Sequence, residues 1–124
     1  NQPDVRRGSV SRAAIECILG FLKVRLPLDD FFVCYHDDED ACDCRKPLPG
    51  LLLEAAARHQ LDVTKSYMIG DRWRDIDAGA AAGCRTILID YHYKERSSNS
   101  LPDVSVARLS EAVDWILKQE METK

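Results

Sequence analysis

Apolar residues recur along this chain at two different periods. Ala14, Ile15, Ile18, Leu19 and Leu22 fall at the three-and-four spacing of one helix face and predict a helix from Ser9 to about Arg25, which Pro27 ends. Phe31-Phe32-Val33 is a short continuous apolar run leading into Cys34 and reads as a buried strand. A loop follows to Pro49. Leu51 to His59, rich in Leu and Ala, reads as a second helix, and Ser66 to Ile69 as a second strand stopped by Gly70. Arg74 to Ala82 reads as a third helix with Gly83 as its C-terminal cap, and Arg85 to Ile89 as a third strand. The polar stretch from Tyr91 to Pro102 reads as a loop or flap, and Val104 to Val106 as a short edge strand. Ser110 reads as the cap of a last helix, Glu111 to about Gln119, with Ala112, Val113, Trp115, Ile116 and Leu117 on its apolar side.

Strands that alternate with helices predict an α/β fold with a parallel sheet. The strands are continuous apolar runs, so both sheet faces are expected to be covered. Ligands in such folds bind past the C-terminal ends of the strands. The segments starting at Cys34, at Gly70 and, if a strand precedes it, at Asn1 fall at such positions.

Composition narrows the function classes. With 124 residues the chain is one domain in size, 45% hydrophobic and 31% charged, as expected of a globular protein. A net charge of -4 gives no electrostatic footprint for nucleic acid, and no apolar run is long enough for a membrane helix. Without a signal-peptide pattern a cytoplasmic location is expected. The chain opens on Asn1 with no apolar element before it, so it is expected to begin within a loop after an upstream element. Asp37, Asp38, Glu39 and Asp40 form an acidic run that reads as a solvated loop. An odd count of five cysteines, three of them clustered, does not look like a disulfide framework. Cys17 and Cys84 read as small buried core residues.

Four constellations carry candidate chemistry. Cys34, His36, Cys42 and Cys44 form a Cys3His set within eleven residues, suited to a closed tetrahedral zinc site that orders its loop; the alternative is a disulfide or free thiols. Arg45-Lys46-Pro47 follows directly, with a point charge and a planar fork that can meet phosphate, or two solvated surface cations. Gly70-Asp71-Arg72-Trp73-Arg74-Asp75-Ile76-Asp77 follows a strand. Asp71 and Asp75 suit a hard cation such as magnesium, although Asp75 and Asp77 also fit plain helix capping. Asn1 to Gly8, with two amides, two arginines and a glycine, suits an anion-binding loop or an ordinary polar start.

Taken together, these clusters resemble the haloacid dehalogenase (HAD) superfamily of phosphatases, in the branch of subfamily IIIA that holds the heptose bisphosphate and histidinol-phosphate phosphatases. Cys-Asp-Cys-Arg-Lys-Pro at 42–47, with Pro49-Gly50 behind it, looks like that branch's zinc loop and motif III lysine. Tyr-Met-Ile-Gly-Asp-Arg at 67–72, closing with Asp75, looks like motif IV, and Asn1-Gln2 followed by Arg7-Gly8 like the end of motif II. The resemblance reaches to about Asp90 and implies a three-layer Rossmann-like fold over 1–124, with a zinc-binding loop at 34–44. It implies a magnesium-dependent hydrolysis of a sugar phosphate through an aspartyl-phosphate. The expected substrate is the 7-phosphate of a heptose bisphosphate, with histidinol phosphate as the alternative and a non-catalytic zinc module as the reading of another class. Lys46 would stabilise the phosphoryl group and Asn1 contact a phosphate oxygen. Gln2, Arg45 and Arg72 would bind substrate. Asp71 would hold magnesium, with Asp75 supporting it or orienting Lys46. Cys34, His36, Cys42 and Cys44 would hold zinc away from the chemistry. A monomer in carbohydrate metabolism, without nucleic-acid or membrane partners, is implied.

The sequence departs from the family pattern in two places. The nucleophile motif, Asp-x-Asp on a central strand, is expected upstream of Asn1, between the strands read at 31–33 and 66–69. Asp29-Asp30 and Asp37-Asp38 are adjacent pairs, and Asp75-x-Asp77 lies inside motif IV, so none is expected to replace it and the 124 residues alone are expected to be inactive. Tyr35 and Asp37 also stand where the zinc loop often has Pro and a second His.

Overall fold

The computed structural model describes residues 1–123. They group into two compact units, Asn1–Arg45 and Lys46–Lys124.

The first unit holds two helices and the cysteine loop. Helix α1, Pro3–Arg6, is a single turn with Pro at its start, where the missing N–H costs nothing. Gly8, at φ 78°, then reverses the chain, so the N-terminal segment read as a loop carries a helical turn. Helix α2 runs Arg12–Arg25 and starts later than its apolar period suggests. Ser11, not Ser9, accepts from Ala14 N and caps it. Lys23 and Arg25 complement its C-terminal dipole. Ile15 is its buried residue, and Cys17, two positions or about 200° further round, is exposed rather than buried.

Phe31–Val33 is not a strand, because no neighbouring strand supplies a ladder among the described residues. Its flanks use other partners: Phe31 N donates to Asp30 Oδ1, and Cys34 O accepts from Gln2 N at 2.7 Å.

The second unit is the α/β layer structure expected. Helix α3 spans Gly50–His59 and packs on α4, Trp73–Ala82. Strands β1 (Tyr67–Gly70), β2 (Arg85–Ile89) and β3 (Val104–Val106) form a parallel sheet in that order, with Tyr67 opposite Arg85 and Ile87 opposite Val104. Tyr67 and Arg85 both face Trp115 of α5, Leu109–Glu122; the Tyr67 ring meets it edge-on at 6.1 Å. Met68 and Thr86, one residue further on, face Gly79 of α4. Successive strand residues point to opposite faces, so α4 and α5 cover the two sides of the sheet. A methyl at Gly79 would stand 2.7 Å from Met68 Cβ and 2.8 Å from Thr86 Cγ2, which shows how closely the helix lies on the strands. Ile76, Ala78 and Ile87 are fully buried.

Gly83 ends α4 at φ 90°, as its position predicts. Helix α5 begins earlier than predicted. Its cap residue is Arg108, not Ser110, and Glu111 Oε2 accepts from Ala107 N while Oε1 takes Arg108 Nε. With Phe31–Val33 not a strand, β1 and β3 are the two edges of the sheet among the described residues. No helix is long and apolar enough to cross a membrane among the described residues.

Candidate active site and metal clip

The metal clip belongs to the first unit. Asp37 caps a 3-10 turn, Asp38–Asp40, by accepting from Asp38 N, while Asp40 Oδ2 accepts from Asp37 N. Ala41, at φ 49°, then turns the chain back so that Cys42 and Cys44 return to Cys34 and His36. Three arginines hold this turn: Arg7 bonds Asp37 with two nitrogens at 2.6 and 2.8 Å, Arg6 bonds Asp40 at 3.0 Å, and Arg45 bonds Asp38 at 2.6 Å. Asp38 and Glu39 of the acidic run are exposed, as a solvated loop implies, while the carboxylates of Asp37, Asp38 and Asp40 are also tied to arginines. Arg7 and the Asp38 amide hold the Asp37 carboxyl down at about 2.

The four predicted ligands converge. Cys34 Sγ is 3.7 Å from Cys42 Sγ and 3.6 Å from His36 Nδ1, which is 3.2 Å from Cys44 Sγ. All four ligand atoms lie within 4.8 Å of one another. Zinc bonds of about 2.3 Å to sulfur and about 2.0 Å to nitrogen give tetrahedral edges of roughly 3.5–3.8 Å, so the set fits zinc. Burial, and then the neighbouring Cys34 and Cys42, push the Cys44 thiol up to about 12. Three thiolates share such a space when a cation sits among them. With four protein ligands the site is closed, which suits structure rather than catalysis.

The candidate phosphate site belongs to the second unit. Asp75 stands in the first turn of α4 and is only 5% exposed. Its Oδ2 accepts from Arg72 N at 3.1 Å, tying the helix start to the end of β1, and its Oδ1 receives Lys46 Nζ at 2.5 Å. Gly70 is required here, because a methyl at that position would overlap Asp75 Cβ and Cγ. Arg74 Nη1 donates to Lys46 O at 3.1 Å and steadies the lysine's backbone.

Asp71 sits just past the tip of β1, as the parallel-sheet rule predicts. Its Oδ2 accepts from the Tyr93 hydroxyl at 3.1 Å, which raises the Tyr93 pKa. Asp71, Trp73, Asp90, Tyr93 and Glu95 line a cleft of about 330 Å³. The carboxylate, open on that cleft, offers the hard oxygen that magnesium takes. Arg72 donates from Nε to Glu95 Oε2 at 2.7 Å and lies 4.8 Å over the Tyr93 ring. The guanidinium groups of Arg96 and Arg74 lie 3.9 and 4.8 Å from the centroid of the Trp73 ring.

Within its own unit each group of predicted residues is together: Lys46 with Asp75, and Asp71 with Arg72, in one; the four zinc ligands with Gln2 and Arg45 in the other. Asn1 precedes the Gln2 amide that is buttoned to Cys34. The sequence reading missed Tyr93, Glu95 and Asp77. Asp77, taken for a capping residue, is 8% exposed and accepts from Asn99 N and Ser100 N at 3.1 and 2.9 Å, with Arg96 at 3.9 Å. Its place one helical turn below Trp73 was visible in sequence; its loop partners were not. Asp38-x-Asp40 was also overlooked as an Asp-x-Asp pair, but its carboxylates are bound to Arg45 and Arg6.

Comparison with known proteins agrees with this geometry. Residues 43–112 match the family described as HAD-hydrolase-like. A Helicobacter pylori protein named D-glycero-beta-D-manno-heptose-1,7-bisphosphate 7-phosphatase is 33% identical over 122 residues, covering 94% of this chain and 69% of the relative. An Escherichia coli K12 protein of the same name is 34% identical over 101 residues, 72% of this chain and 53% of the relative. The chain thus spans between half and seven-tenths of the length of these relatives. The solved structure of a D,D-heptose 1,7-bisphosphate phosphatase from Bordetella bronchiseptica, complexed with magnesium and phosphate, aligns with TM-score 0.77 at 28% identity, covering 96% of this chain and 72% of the other. A HAD-like phosphatase structure from Mesorhizobium loti aligns with TM-score 0.67 at 25% identity, over 94% and 61%. With the strand-tip aspartate, the lysine–aspartate pair and the parallel sheet in place, these matches show that the chain belongs to the HAD-like hydrolase family.

Proposed function

We propose that this chain carries the phosphate-holding and metal-holding parts of a cytoplasmic, monomeric phosphoric monoester hydrolase. Its proposed substrate is a small sugar phosphate, first of all the 7-phosphate of D-glycero-D-manno-heptose 1,7-bisphosphate. The observation that carries this reading is the Lys46–Asp75 pair beside Asp71 at the tip of β1. Lys46 neutralises an oxygen of the transferring phosphoryl group, and Asp75 keeps its ammonium from swinging away. Asp71 is the residue that would hold magnesium, which when bound draws negative charge off the phosphoryl oxygens. Arg72, next to Asp71 in the same unit, grips the substrate. In this reading zinc at Cys34, His36, Cys42 and Cys44 is a rigid mount, not a reactant. In this reading neither Asp-x-Asp pair of the chain is the nucleophile motif, because the carboxylates of Asp38, Asp40, Asp75 and Asp77 are already engaged.

The test is phosphate release by the full-length protein, with magnesium, from the heptose bisphosphate and from histidinol phosphate. Release from the first at a higher kcat/KM is expected. Preference for histidinol phosphate would move the substrate, and release from neither would overturn the enzymatic reading.

A further inference from the structure

The segment after β2 is fastened to the start of α4 at five points. Tyr93 donates to Asp71 Oδ2. Glu95 takes Arg72 Nε with Oε2 at 2.7 Å and Trp73 N with Oε1 at 3.2 Å. Arg96 lies on the Trp73 ring, and Asp77 holds the amides of Asn99 and Ser100. Glu95 is unusual among these. Its side chain is 19% exposed while its partner Arg72 is 54% exposed, so the acid is fixed below and the guanidinium stands out into solvent. The ring of Tyr93 backs one face of that guanidinium. Arg72 is thereby gripped through Nε and one flat face, which leaves the Nη edge of the fork to a ligand.

We infer that Glu95 is a positioning residue: it aims Arg72 at an anionic group of the substrate, and Tyr93 backs the same guanidinium while bonding Asp71. This rests on the reading of Arg72 as a substrate contact. A flexible arginine loses rotamer freedom when it grips an anion, and Glu95 removes that freedom beforehand. Glu95 acts through Arg72 and does not touch the reacting atoms.

The experiment is a double-mutant cycle on the full-length protein with two readouts. The first is the affinity for inorganic phosphate with magnesium, by calorimetry, and the second is KM and kcat for the heptose bisphosphate. Glu95→Ala should weaken phosphate binding and raise KM about tenfold, the size of a lost hydrogen bond between charged groups, with kcat little changed. Arg72→Ala should do the same, and the pair together no more than Arg72→Ala alone. Glu95→Gln keeps one acceptor oxygen and turns an NH2 toward the second donor, so it should recover only part of the affinity. If Glu95→Ala fails to fold, Glu95→Gln against Glu95→Gln/Arg72→Ala carries the same cycle. Independent, additive losses in the two variants, or phosphate affinity unmoved by Arg72→Ala, overturn the inference. A wild type that binds phosphate but hydrolyses no sugar phosphate overturns the phosphatase reading while the binding cycle still decides this one. A wild type that binds no phosphate overturns both.

Discussion

Lys46 Nζ lies 2.5 Å from Asp75 Oδ1, and the other oxygen of the same carboxylate receives Arg72 N. One buried side chain thus sets both the start of α4 and the direction of the lysine. Lys46→Ala leaves that carboxylate short of its cation. It is expected to cost about 1–3 kcal/mol, less than a fully buried pair because Lys46 is 28% exposed. Phosphate release by the full-length protein should fall by about a hundredfold or more. Urea unfolding and a phosphate assay read the two effects separately. Asp75→Asn, which keeps the Arg72 bond, should spare more stability than activity.

Gly70 lets Asp75 cross the end of β1. Gly70→Ala is expected to push the carboxylate out of line, at about 1–3 kcal/mol of stability, and to impair turnover as Lys46→Ala does. Wild-type activity in the purified variant would disprove this.

The clip should carry about one zinc per chain. Removing it with a strong chelator, or replacing Cys42 or Cys44 by Ser, is expected to expose the amides of residues 34–46 to hydrogen exchange. The amides of β1 and β2 should remain protected. Elemental analysis and exchange mass spectrometry check both, and a metal-free protein with an unchanged exchange pattern would remove zinc from the account.

The start of α5 should respond to acid. Bonds from the Ala107 amide and then Arg108 hold the Glu111 carboxyl below its ordinary 4.5. A depressed carboxyl contributes stability that is present above 4.5 and lost as pH falls through its folded value. Glu111→Gln is expected to flatten the fall of stability below pH 4.5, with little difference from wild type in that slope above it. Denaturation at a series of pH values measures it.

Local chemistry made much of this legible in the sequence. β2 and α4 follow from an unbroken apolar run and from Gly83, because each depends on neighbours close in sequence. The four zinc ligands were readable because their spacing is short. Phe31–Val33 was misread because apolarity marks burial, while a strand also needs a ladder partner, which no local pattern reveals. Cys17 was placed in the core although its angular position on α2 turns it away from Ile15. Tyr93 and Glu95 had no signal at all: they reach back more than twenty residues, and a polar loop looks the same whether it is lashed down or loose. The arginine partners of Asp37, Asp38 and Asp40 are hidden for the same reason in Arg6 and Arg7, thirty or more residues away, and overlooked in Arg45, which is close by.

Asp77 holds its loop by main-chain amides, not by side chains. Any residue except proline supplies the same N–H at positions 99 and 100. The path of the loop is therefore independent of most of its spelling there. Exchanging Asn99 or Ser100 for larger or charged residues would re-line the neighbouring surface without redrawing the backbone, so this stretch is where substrate preference could drift while the lysine, the aspartates and the zinc clip stayed as they are.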